Sequence, residues 1–383
     1  MIKKIIFCAF LLFFQNFLLF GQLHVTFKTS KIPPSKDLSV RLFVAGDFNG
    51  WNPADTTSKL LPDGTGTYQV TRTMAPGTYN FKMTRGSWQS VESNATGGYI
   101  PNRGAIIVHD TTISIEIANW QDNFKAMEKK HTAGRNVQVI SEKFDMPQLG
   151  RQRRVWIYLP ADYASSERKY PVMYMHDGQN LFDEYTSGYG EWGVDELMDK
   201  VPVQEQCIIV GIDHGGEYRI SEYDPYDTKY GKGQGDSYVD FLVKTLKPYI
   251  DEHYRTKKDV KNTSVAGSSM GGLISMYAIL KYPEVFGKAG VFSPAFWISP
   301  EIFKYAAERP VSKSSGMYFV CGDAESDSMV ADMHKMVTLV RSKGVSDQNT
   351  PEVVIKGAKH NEKQWNGDFP AFYNWLIGKS GSQ

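Results

Sequence analysis

The spacing of apolar residues changes near residue 121 and divides the chain into two parts. From His24 to about Trp120, short runs alternate apolar and polar positions, as in the run 79–83, and turns containing glycine or proline separate them. Such alternation predicts strands with one buried face, and several short strands over about a hundred residues predict a β-sandwich. We therefore expect residues 22–120 to form an all-β domain.

A different pattern follows residues 121–135, whose polar and charged character we interpret as a linker. From 136 to 383, short apolar runs alternate with segments of helical spacing, such as 365–377. Strands that alternate with helices predict an α/β domain built on a parallel sheet. The prediction of two domains also suits the length of the chain, 383 residues.

The first 21 residues have the character of a secretory signal peptide. Lys3 and Lys4 precede an apolar run, 5–20, that Gln15 and Asn16 interrupt. This run is too short and too polar for a comfortable transmembrane span, whereas it fits the apolar part of a signal. We expect a secreted or periplasmic protein with no stable membrane span after signal removal; the alternative is an uncleaved N-terminal anchor.

Charge and cysteine content exclude several classes of function. The formal net charge is +1 and no long basic run occurs, so nothing indicates a nucleic-acid partner. Cys8 lies in the predicted signal, while Cys207 and Cys321 lie in apolar runs and are predicted to be buried free thiols. Neither has histidines or cysteines at the spacing of a metal site, and we predict no metal and no cofactor.

One short stretch carries the clearest chemical signal. Gly267-Ser268-Ser269-Met270-Gly271 follows an apolar, strand-like run and precedes a run of helical spacing. A Gly-x-Ser-x-Gly pattern between a strand and a helix is typical of a nucleophile elbow, a sharp turn that holds the serine above a parallel sheet. Ser269 is therefore the predicted nucleophile of an α/β-hydrolase; the alternative is an ordinary glycine-rich turn.

A serine nucleophile needs a general base, and in this fold the acid and then the histidine follow the serine along the chain. His334 and His360 are the two histidines after Ser269. His334 lies within a predicted helix, whereas His360 lies in a loop after the last predicted strand, where open α/β sheets carry catalytic groups. We predict that His360 is the base, with a surface loop histidine as the alternative.

The acid and the oxyanion hole are expected in two other loops. In the first, Glu325, Asp323 and Asp327 compete for the role of triad acid, and the distance from the strand end favours Glu325. The oxyanion needs two backbone N–H donors. We expect them from Met270, the residue after the nucleophile, and from Gln179, which lies in a loop after an earlier strand.

Several motifs of the second predicted domain together resemble one family. They are His-Asp-Gly-Gln-Asn at 176–180, Glu-Trp-Gly-Val-Asp at 191–195, Gly-Ile-Asp at 211–213 with Arg219 and Glu222, the Gly-x-Ser-x-Gly-Gly stretch, and Lys-His-Asn-Glu at 359–362 with Trp365. As a set they resemble the putative esterase family, which contains esterase D, feruloyl and acetylxylan esterases and the enterochelin esterases. The resemblance covers about residues 137–376. It implies a serine hydrolase that acts on carboxylic ester bonds through Ser269, His360 and an acid, and it leaves the substrate open.

Loops around the predicted site offer further side chains. Trp192, Arg219 and Trp297 are expected on its rim, where they are candidates for substrate binding. For Arg219, the alternative is an ion pair that holds a loop in place.

The first predicted domain carries a resemblance of its own. It rests on three stretches, 46–53, 76–82 and 86–88. They resemble the early-set, immunoglobulin-like sandwich of glycogen-binding modules and starch-branching enzymes, in which exposed aromatic rings stack on sugars. The resemblance implies glycan binding by Trp51, Lys82, Trp88 and, by a looser match, Asn102. The alternative is a spacer domain with both tryptophans in its core.

Three functions stay open at this stage. An exported carbohydrate esterase would remove feruloyl or acetyl groups from plant or algal polysaccharide through an acyl-Ser269 intermediate, and the predicted export and front domain favour it. A periplasmic siderophore esterase of the enterochelin type is the alternative. A non-catalytic glycan-binding protein is the third, which the presence of both Ser269 and His360 argues against. The expected partner is therefore an ester-decorated oligo- or polysaccharide.

Overall fold

The computed structural model describes residues 21–33, 41–98, 100–124 and 129–379. The predicted signal peptide therefore lies, except for Gly21, outside the described residues. The chain divides into two compact units between Glu128 and Lys129. Within the described ranges, no helix is long and apolar enough to cross a membrane.

The first unit is built from β-strands. They are β1 (Leu23–Lys31), β2 (Leu42–Gly46), β3 (Lys59–Pro62), β4 (Tyr68–Met74), β5 (Gly77–Thr84), β6 (Glu92–Ser93), β7 (Arg103–Ile107), β8 (Thr111–Glu116) and β9 (Asn119–Trp120), with short 3₁₀ helices at Asp47–Asn49, Thr56–Ser58, Trp88–Ser90 and Gln121–Asn123. Seven strands form one sheet in the order β7-β5-β2-β3-β4-β1-β8, and β6 pairs with β9.

This sheet folds over itself. Phe27 on β1 and Phe81 on β5 have ring centroids 5.1 Å apart, although three other strands separate β1 from β5 in the sheet. The two halves of the sheet therefore enclose a shared apolar core, in which Trp120 is also fully buried. The predicted all-β character is present in the described residues, while the early-set, immunoglobulin-like assignment stays a prediction.

The second unit is an eight-stranded sheet with helices. Its strands are β10 (Val137–Met146), β11 (Arg151–Tyr158), β12 (Val172–His176), β13 (Ile208–Ile212), β14 (Thr263–Ser268), β15 (Lys288–Phe292), β16 (Gly316–Gly322) and β17 (Glu352–Ile355). The order is β10-β11-β13-β12-β14-β15-β16-β17. β10 and β11 pair antiparallel, β11 pairs antiparallel with β13, and the remaining pairs are parallel.

The helices of this unit follow the strands along the chain. They are α1 (Val194–Met198), α2 (Arg219–Tyr223), α3 (Gly235–Phe241), α4 (Lys247–His253), α5 (Met270–Lys281), α6 (Glu301–Glu308), α7 (Met329–Ser342) and α8 (Glu362–Leu376). A π-helical segment (Leu242–Leu246) joins α3 to α4, and short 3₁₀ helices occur at Gly178–Asn180, Val203–Glu205, Gly216–Tyr218, Val260–Asn262 and Asp347–Asn349.

Both faces of the central strands are covered. Val265 and Tyr174 pack in one apolar cluster, while their chain neighbours Ala266 and Met173 pack in a second cluster. Because successive strand residues point to opposite faces, the two clusters lie on the two sides of the sheet. This arrangement confirms the predicted α/β domain, and the two described cysteines are buried and free, as predicted.

The segment 129–135 differs from the linker that its composition predicts. Thr132 Oγ1 donates to Glu191 Oε2 at 2.9 Å, and the Gly134 N–H donates to Asp195 Oδ2 at 2.7 Å. The polar character of this segment therefore reflects hydrogen bonds to a neighbouring loop. Composition alone cannot separate a solvated linker from a segment whose polar groups bind other polar groups.

Candidate active site

The turn at Ser269 has the geometry of a nucleophile elbow. β14 ends at Ser268 and α5 begins at Met270, so Ser269 joins the strand directly to the helix. Its φ of 58° and ψ of −119° lie outside the regions that residues with side chains usually adopt. The Ser269 N–H donates to the carbonyl of Phe292 on the adjacent strand at 2.9 Å. This bond ties the strained turn to the carboxyl edge of the sheet.

The glycines of the motif are required by close packing. A Cβ on Gly267 would lie 2.9 Å from His176 Cδ2 and 3.0 Å from the carbonyl carbon of Gly271. A Cβ on Gly272 would lie 2.7 Å from the carbonyl oxygen of Phe292. Larger residues would therefore push the helix away from the sheet, which explains the Gly-x-Ser-x-Gly-Gly pattern.

The two predicted oxyanion donors lie in segments that begin at the same edge. Met270 is the first residue of α5, so its N–H has no partner inside the helix and lies at the positive end of the helix dipole. Gln179 lies in the 3₁₀ turn after β12, which is the neighbour of β14. A Cβ on Gly178 would lie 2.8 Å from the carbonyl carbon of Gly211, so the turn packs tightly against β13. The donor roles themselves stay predictions.

His360 is held by Glu325. His360 Nδ1 lies 2.7 Å from Glu325 Oε2, and the Glu325 side chain is fully buried. The other oxygen, Oε1, accepts from the Ser293 hydroxyl at 2.7 Å and from the Gly322 N–H at 2.5 Å. The carboxylate is therefore surrounded by donors and is fixed beside the imidazole, which leaves Nε2 of His360 for a serine hydroxyl.

The two competing acids have other surroundings. Asp323 Oδ1 accepts from the Gly357 N–H at 2.6 Å, which stabilises the turn before His360. Asp327 is exposed. Of the three predicted candidates, Glu325 is the one whose carboxylate contacts His360 in the described part of the chain.

Behind the acid lie Ser293, which the sequence did not single out, and Trp365, which the sequence singled out only as part of the family motif and without a role. The Trp365 Nε1–H donates to Ser293 Oγ at 2.9 Å. An indole N–H can only donate, so Ser293 Oγ must accept from it, and its own hydrogen points to Glu325. Ser293 has a φ of 42°, a strained value at the end of β15 that could not be read from the sequence. The Trp365 ring also stands edge-on to His360, with centroids 5.0 Å apart.

Trp192 does not lie on the rim, so the expectation that it binds substrate is wrong. It is 3% exposed, and its ring packs against Trp365 at 5.7 Å and Phe292 at 5.1 Å. Its position in a loop suggested exposure, but the loop folds inward at this point. Trp192 instead supports the tryptophan that contacts both His360 and Ser293.

Arg219 forms the ion pair that was the alternative to substrate binding. Its Nε and Nη2 donate to Asp177 Oδ1 and Oδ2 at 2.7 and 2.9 Å. Burial alone would raise the pKa of the Asp177 carboxyl, but Arg219 holds it below its usual value. Beside this pair, burial lowers the pKa of His176 to about 4, so His176 is neutral and is not a candidate base near neutral pH.

Exposed aromatic rings of the second unit lie in loops at the carboxyl ends of its strands. Trp297 is 50% exposed, in the loop after β15, and its role in substrate binding stays a prediction. Tyr185 and Tyr189, at 55% and 81%, follow β12, and Tyr218, at 43%, follows β13. Ser269 lies at the end of β14 among these strands, so large rings are available around the elbow.

The predicted glycan-binding residues of the first unit differ in accessibility. Trp88 is 39% exposed, and its ring lies 6.2 Å from that of half-buried Trp51, whose Nε1–H donates to Asp47 Oδ1. Asn102 is exposed. Lys82 is 6% exposed, and its ammonium donates to the Ile100 carbonyl, so the expectation that it binds a glycan is wrong.

Comparison with known sequences identifies relatives of the second unit. A family model described as "Putative esterase" matches residues 146–375. The protein YbbA of Bacillus subtilis (strain 168) is 29% identical over 248 residues, which are 60% of this chain and 94% of YbbA. The endo-1,4-beta-xylanase/feruloyl esterase of Xylanibacter ruminicola is 24% identical over 257 residues, 66% of this chain but 32% of that protein. The chain thus spans about a third of this second relative.

Among solved structures, the enterobactin esterase FES from Shigella flexneri resembles this chain. The TM-score is 0.50 at 16% sequence identity, and the match covers 88% of this chain and 87% of the other. At this identity the likeness shows a shared fold and nothing about the substrate.

Proposed function

The chain belongs to the family described as "Putative esterase", and we propose that it is a serine carboxylesterase with Ser269, His360 and Glu325 as its catalytic triad. The observation that carries this proposal is the 2.7 Å contact between His360 Nδ1 and Glu325 Oε2. It occurs between loops that follow β16 and β17, at the same edge of the sheet as the strained turn at Ser269.

The proposed reaction begins when Ser269 Oγ attacks the ester carbonyl carbon while His360 Nε2 takes the hydroxyl proton. The negative charge that develops on the carbonyl oxygen is stabilised by the N–H groups of Met270 and Gln179. The bond from carbon to the alcohol oxygen then breaks, and His360 gives its proton to the departing alcohol. A water molecule then attacks the carbonyl carbon of the acyl-Ser269 while His360 takes its proton. The bond from this carbon to Ser269 Oγ breaks, His360 returns the proton to Ser269, and the carboxylic acid leaves.

Glu325 acts on this reaction through His360. Its hydrogen bond to Nδ1 keeps the other nitrogen free to accept a proton, and its negative charge stabilises the imidazolium that forms. The Ser293 hydroxyl and the Gly322 N–H hold the carboxylate in place. Hydrogen bonds from the protein, rather than from solvent, therefore fix the orientation of the Glu325 carboxylate.

For the substrate, we propose an ester-decorated oligo- or polysaccharide from which feruloyl or acetyl groups are removed. The exposed rings of Tyr189, Tyr218 and Trp297 support this, because aromatic faces stack on sugar rings and on aromatic acyl groups. The relative that combines a xylanase with a feruloyl esterase supports it as well. Export through the predicted signal peptide would bring the enzyme to such a polymer.

A siderophore esterase is the second candidate, since a relative in fold acts on enterobactin by its name. A catecholate ligand is an anion and needs cationic partners. Arg219, the arginine expected on the rim of the site, already pairs with Asp177 through two hydrogen bonds. This pairing favours the carbohydrate reading.

For the first unit, we propose an early-set sandwich whose Trp51 and Trp88 rings bind a glycan. Their tilted contact and the 39% exposure of Trp88 support a small aromatic surface. Trp88→Ala should weaken retention of the protein in gels that contain xylan or glycogen, with Tyr68→Ala, at the start of β4, as a control. Unchanged retention of Trp88→Ala would favour the spacer alternative.

The purified chain should be assayed on feruloylated xylo-oligosaccharide, acetylxylan and ferric enterobactin, with Ser269→Ala as the blank. We expect turnover of one of the carbohydrate esters and none of ferric enterobactin. Preferential turnover of enterobactin would replace the carbohydrate proposal with the siderophore one. No turnover of these esters or of p-nitrophenyl acetate would favour the non-catalytic reading.

A further inference from the structure

A second group of carboxylates lies where the long loop after β12 enters α1. Glu191, Asp195 and Glu196 each place a carboxylate oxygen within 4.8 Å of the other two. Within the described ranges, none of the three forms an ion pair with a lysine, arginine or histidine. Three carboxylates therefore share a small volume without a compensating positive charge.

Asp195 distinguishes this group from an exposed acidic patch. The residue is 1% exposed, and Oδ2 accepts from the Gly134 N–H at 2.7 Å. The other oxygen, Oδ1, is buried and has no hydrogen-bond partner among the described residues. A carboxylate oxygen can only accept, and the neighbour close enough to share a hydrogen with Asp195 is another carboxyl, Glu196. Such a site requires a cation or a proton.

We propose that Glu191, Asp195 and Glu196 bind a hard divalent cation, for which Ca²⁺ is the best fit. Ligands that are all oxygen atoms suit Ca²⁺ or Mg²⁺ better than softer metals. Ca²⁺ accepts irregular sets of about six to eight oxygen ligands, water included, whereas Mg²⁺ demands a near-ideal octahedron. Three carboxylates on a loop and at the start of a helix therefore suit Ca²⁺ better. Exposed Glu196 leaves an open side where water completes the coordination.

The charges around the group also favour a cation. Beyond the three proposed ligands, Asp183 and Glu184 add negative charge near Glu191, and His131 pairs with Asp183. Carboxylates bind a cation in their deprotonated form, so Ca²⁺ should bind more tightly as pH rises.

The proposed site joins two segments of the second unit. Thr132 donates to Glu191 and Gly134 donates to Asp195, so the segment before β10 lies against the ligands. Glu191 belongs to the segment between β12 and α1, which also carries Gln179, the proposed oxyanion donor. A bound cation would thus stabilise this segment without touching the reacting atoms. The sequence predicts no metal because its cysteines and histidines lack the spacing of a metal site, and carboxylates that folding brings together carry no such signal.

The test uses the full chain after treatment with chelator and does not need an ester substrate. Calorimetric titration with CaCl₂ at pH 8 should give a saturable heat, and millimolar Ca²⁺ should raise the unfolding temperature by about 5 °C. EDTA should reverse the shift, MgCl₂ should give a smaller one, and the Ca²⁺ shift should shrink at pH 5.5.

Matched variants locate the site. Asp195→Asn keeps the size of the side chain and an acceptor for Gly134, and it should abolish the response to Ca²⁺. Glu196→Gln, at an exposed position, should weaken the response even if Asp195→Asn does not fold. Glu252→Gln makes the same charge change at an exposed position of α4 and should respond like the unmodified protein. A Ca²⁺ shift that survives Glu196→Gln, or no heat and no shift at pH 8, would overturn the proposal.

Discussion

Glu325 and Asp195 are both buried carboxylates of the second unit, yet their surroundings are opposite. Glu325 receives hydrogens from Gly322, Ser293 and His360. Asp195 receives one from Gly134 and otherwise adjoins further carboxylates. Burial costs a carboxylate its hydration in both places. The protein replaces that hydration with its own donors at Glu325, whereas at Asp195 the replacement must come from outside.

The comparison separates a group that is prepared for catalysis from one that is prepared for a ligand. A carboxylate whose donors are fixed keeps its charge and orientation when the neighbouring histidine changes its protonation state. A carboxylate with missing donors responds to pH and to cations. Changes around Glu325 should therefore alter reaction rates, and changes around Asp195 should alter the stability of the protein.

The largest effect is expected when the nucleophile, Ser269, is removed. Ser269→Ala should lower kcat/KM for p-nitrophenyl acetate by roughly 10³-fold or more, because no other group supplies the nucleophile. Adding His360→Ala should cost little more, since the two act as a unit. Circular dichroism should show an unchanged fold. If the loss of kcat/KM in the double variant were the product of the two single losses, Ser269 and His360 would act independently, which would contradict the proposed pairing.

A somewhat smaller loss is expected from Glu325→Gln. The amide cannot stabilise the imidazolium and can present the wrong group to Nδ1, so kcat should fall by roughly 10²- to 10³-fold. Asp323→Asn is the matched control, because Asp323 contacts Gly357 and not His360. If Asp323→Asn or Asp327→Asn were the more damaging change, the assignment of the acid would be wrong.

Ser293→Ala should lower kcat by about tenfold, because it removes one hydrogen bond to a charged group. Without this bond the Glu325 carboxylate is held less firmly beside His360, whereas substrate binding should be unaffected, so KM should stay the same. Trp365→Phe keeps the ring but loses the N–H that bonds Ser293 Oγ, and it should lower kcat by a smaller factor. An unchanged kcat in Ser293→Ala would show that Ser293 does not position Glu325.

The smallest effect concerns the pH dependence of stability in the presence of chelator. The pKa of Asp195 is raised to about 8 in the folded state from 3.8, so the folded state holds more protons between these values. Stability should therefore fall as pH rises from about 4 through about 8. Asp195→Asn should flatten this decline and raise the unfolding temperature at pH 8 by a few degrees, about 2–4 °C. If the unfolding temperatures of Asp195→Asn and of the unmodified protein depended on pH in the same way, the raised pKa of Asp195 would be contradicted.

The parts of the site that lie close together in the chain were predictable. The elbow at Ser269 has a local pattern, and the order of serine, acid and histidine selects His360 and a short list of acids. The Glu325 position could be favoured because it lies a fixed distance after the end of β16. The apolar spacing predicts that the last helix starts at Trp365, whereas α8 starts three residues earlier, at Glu362. The helix begins there because the side chain of Asn361 caps it by accepting from the Gln364 N–H.

What the sequence could not supply are contacts between distant segments. Ser293 and Trp365 are 72 residues apart, and neither has a pattern that pairs them. Trp192 and Lys82 were expected at surfaces because loops and motif resemblance suggest exposure, yet each is buried by packing that no local pattern encodes. The same limit applies to Asp195, whose missing donor is visible only in three dimensions.

The most direct test of the central claim is to find the acyl group on the enzyme. Protein mixed rapidly with p-nitrophenyl acetate, quenched in acid and digested, should carry an acetyl group on the peptide that contains Ser269, and its amount should match the initial burst of p-nitrophenol. Ser269→Ala should show neither the acetyl group nor the burst. Turnover without an acetylated peptide, or acetylation at another residue that accounts for the burst, would contradict a covalent mechanism at Ser269.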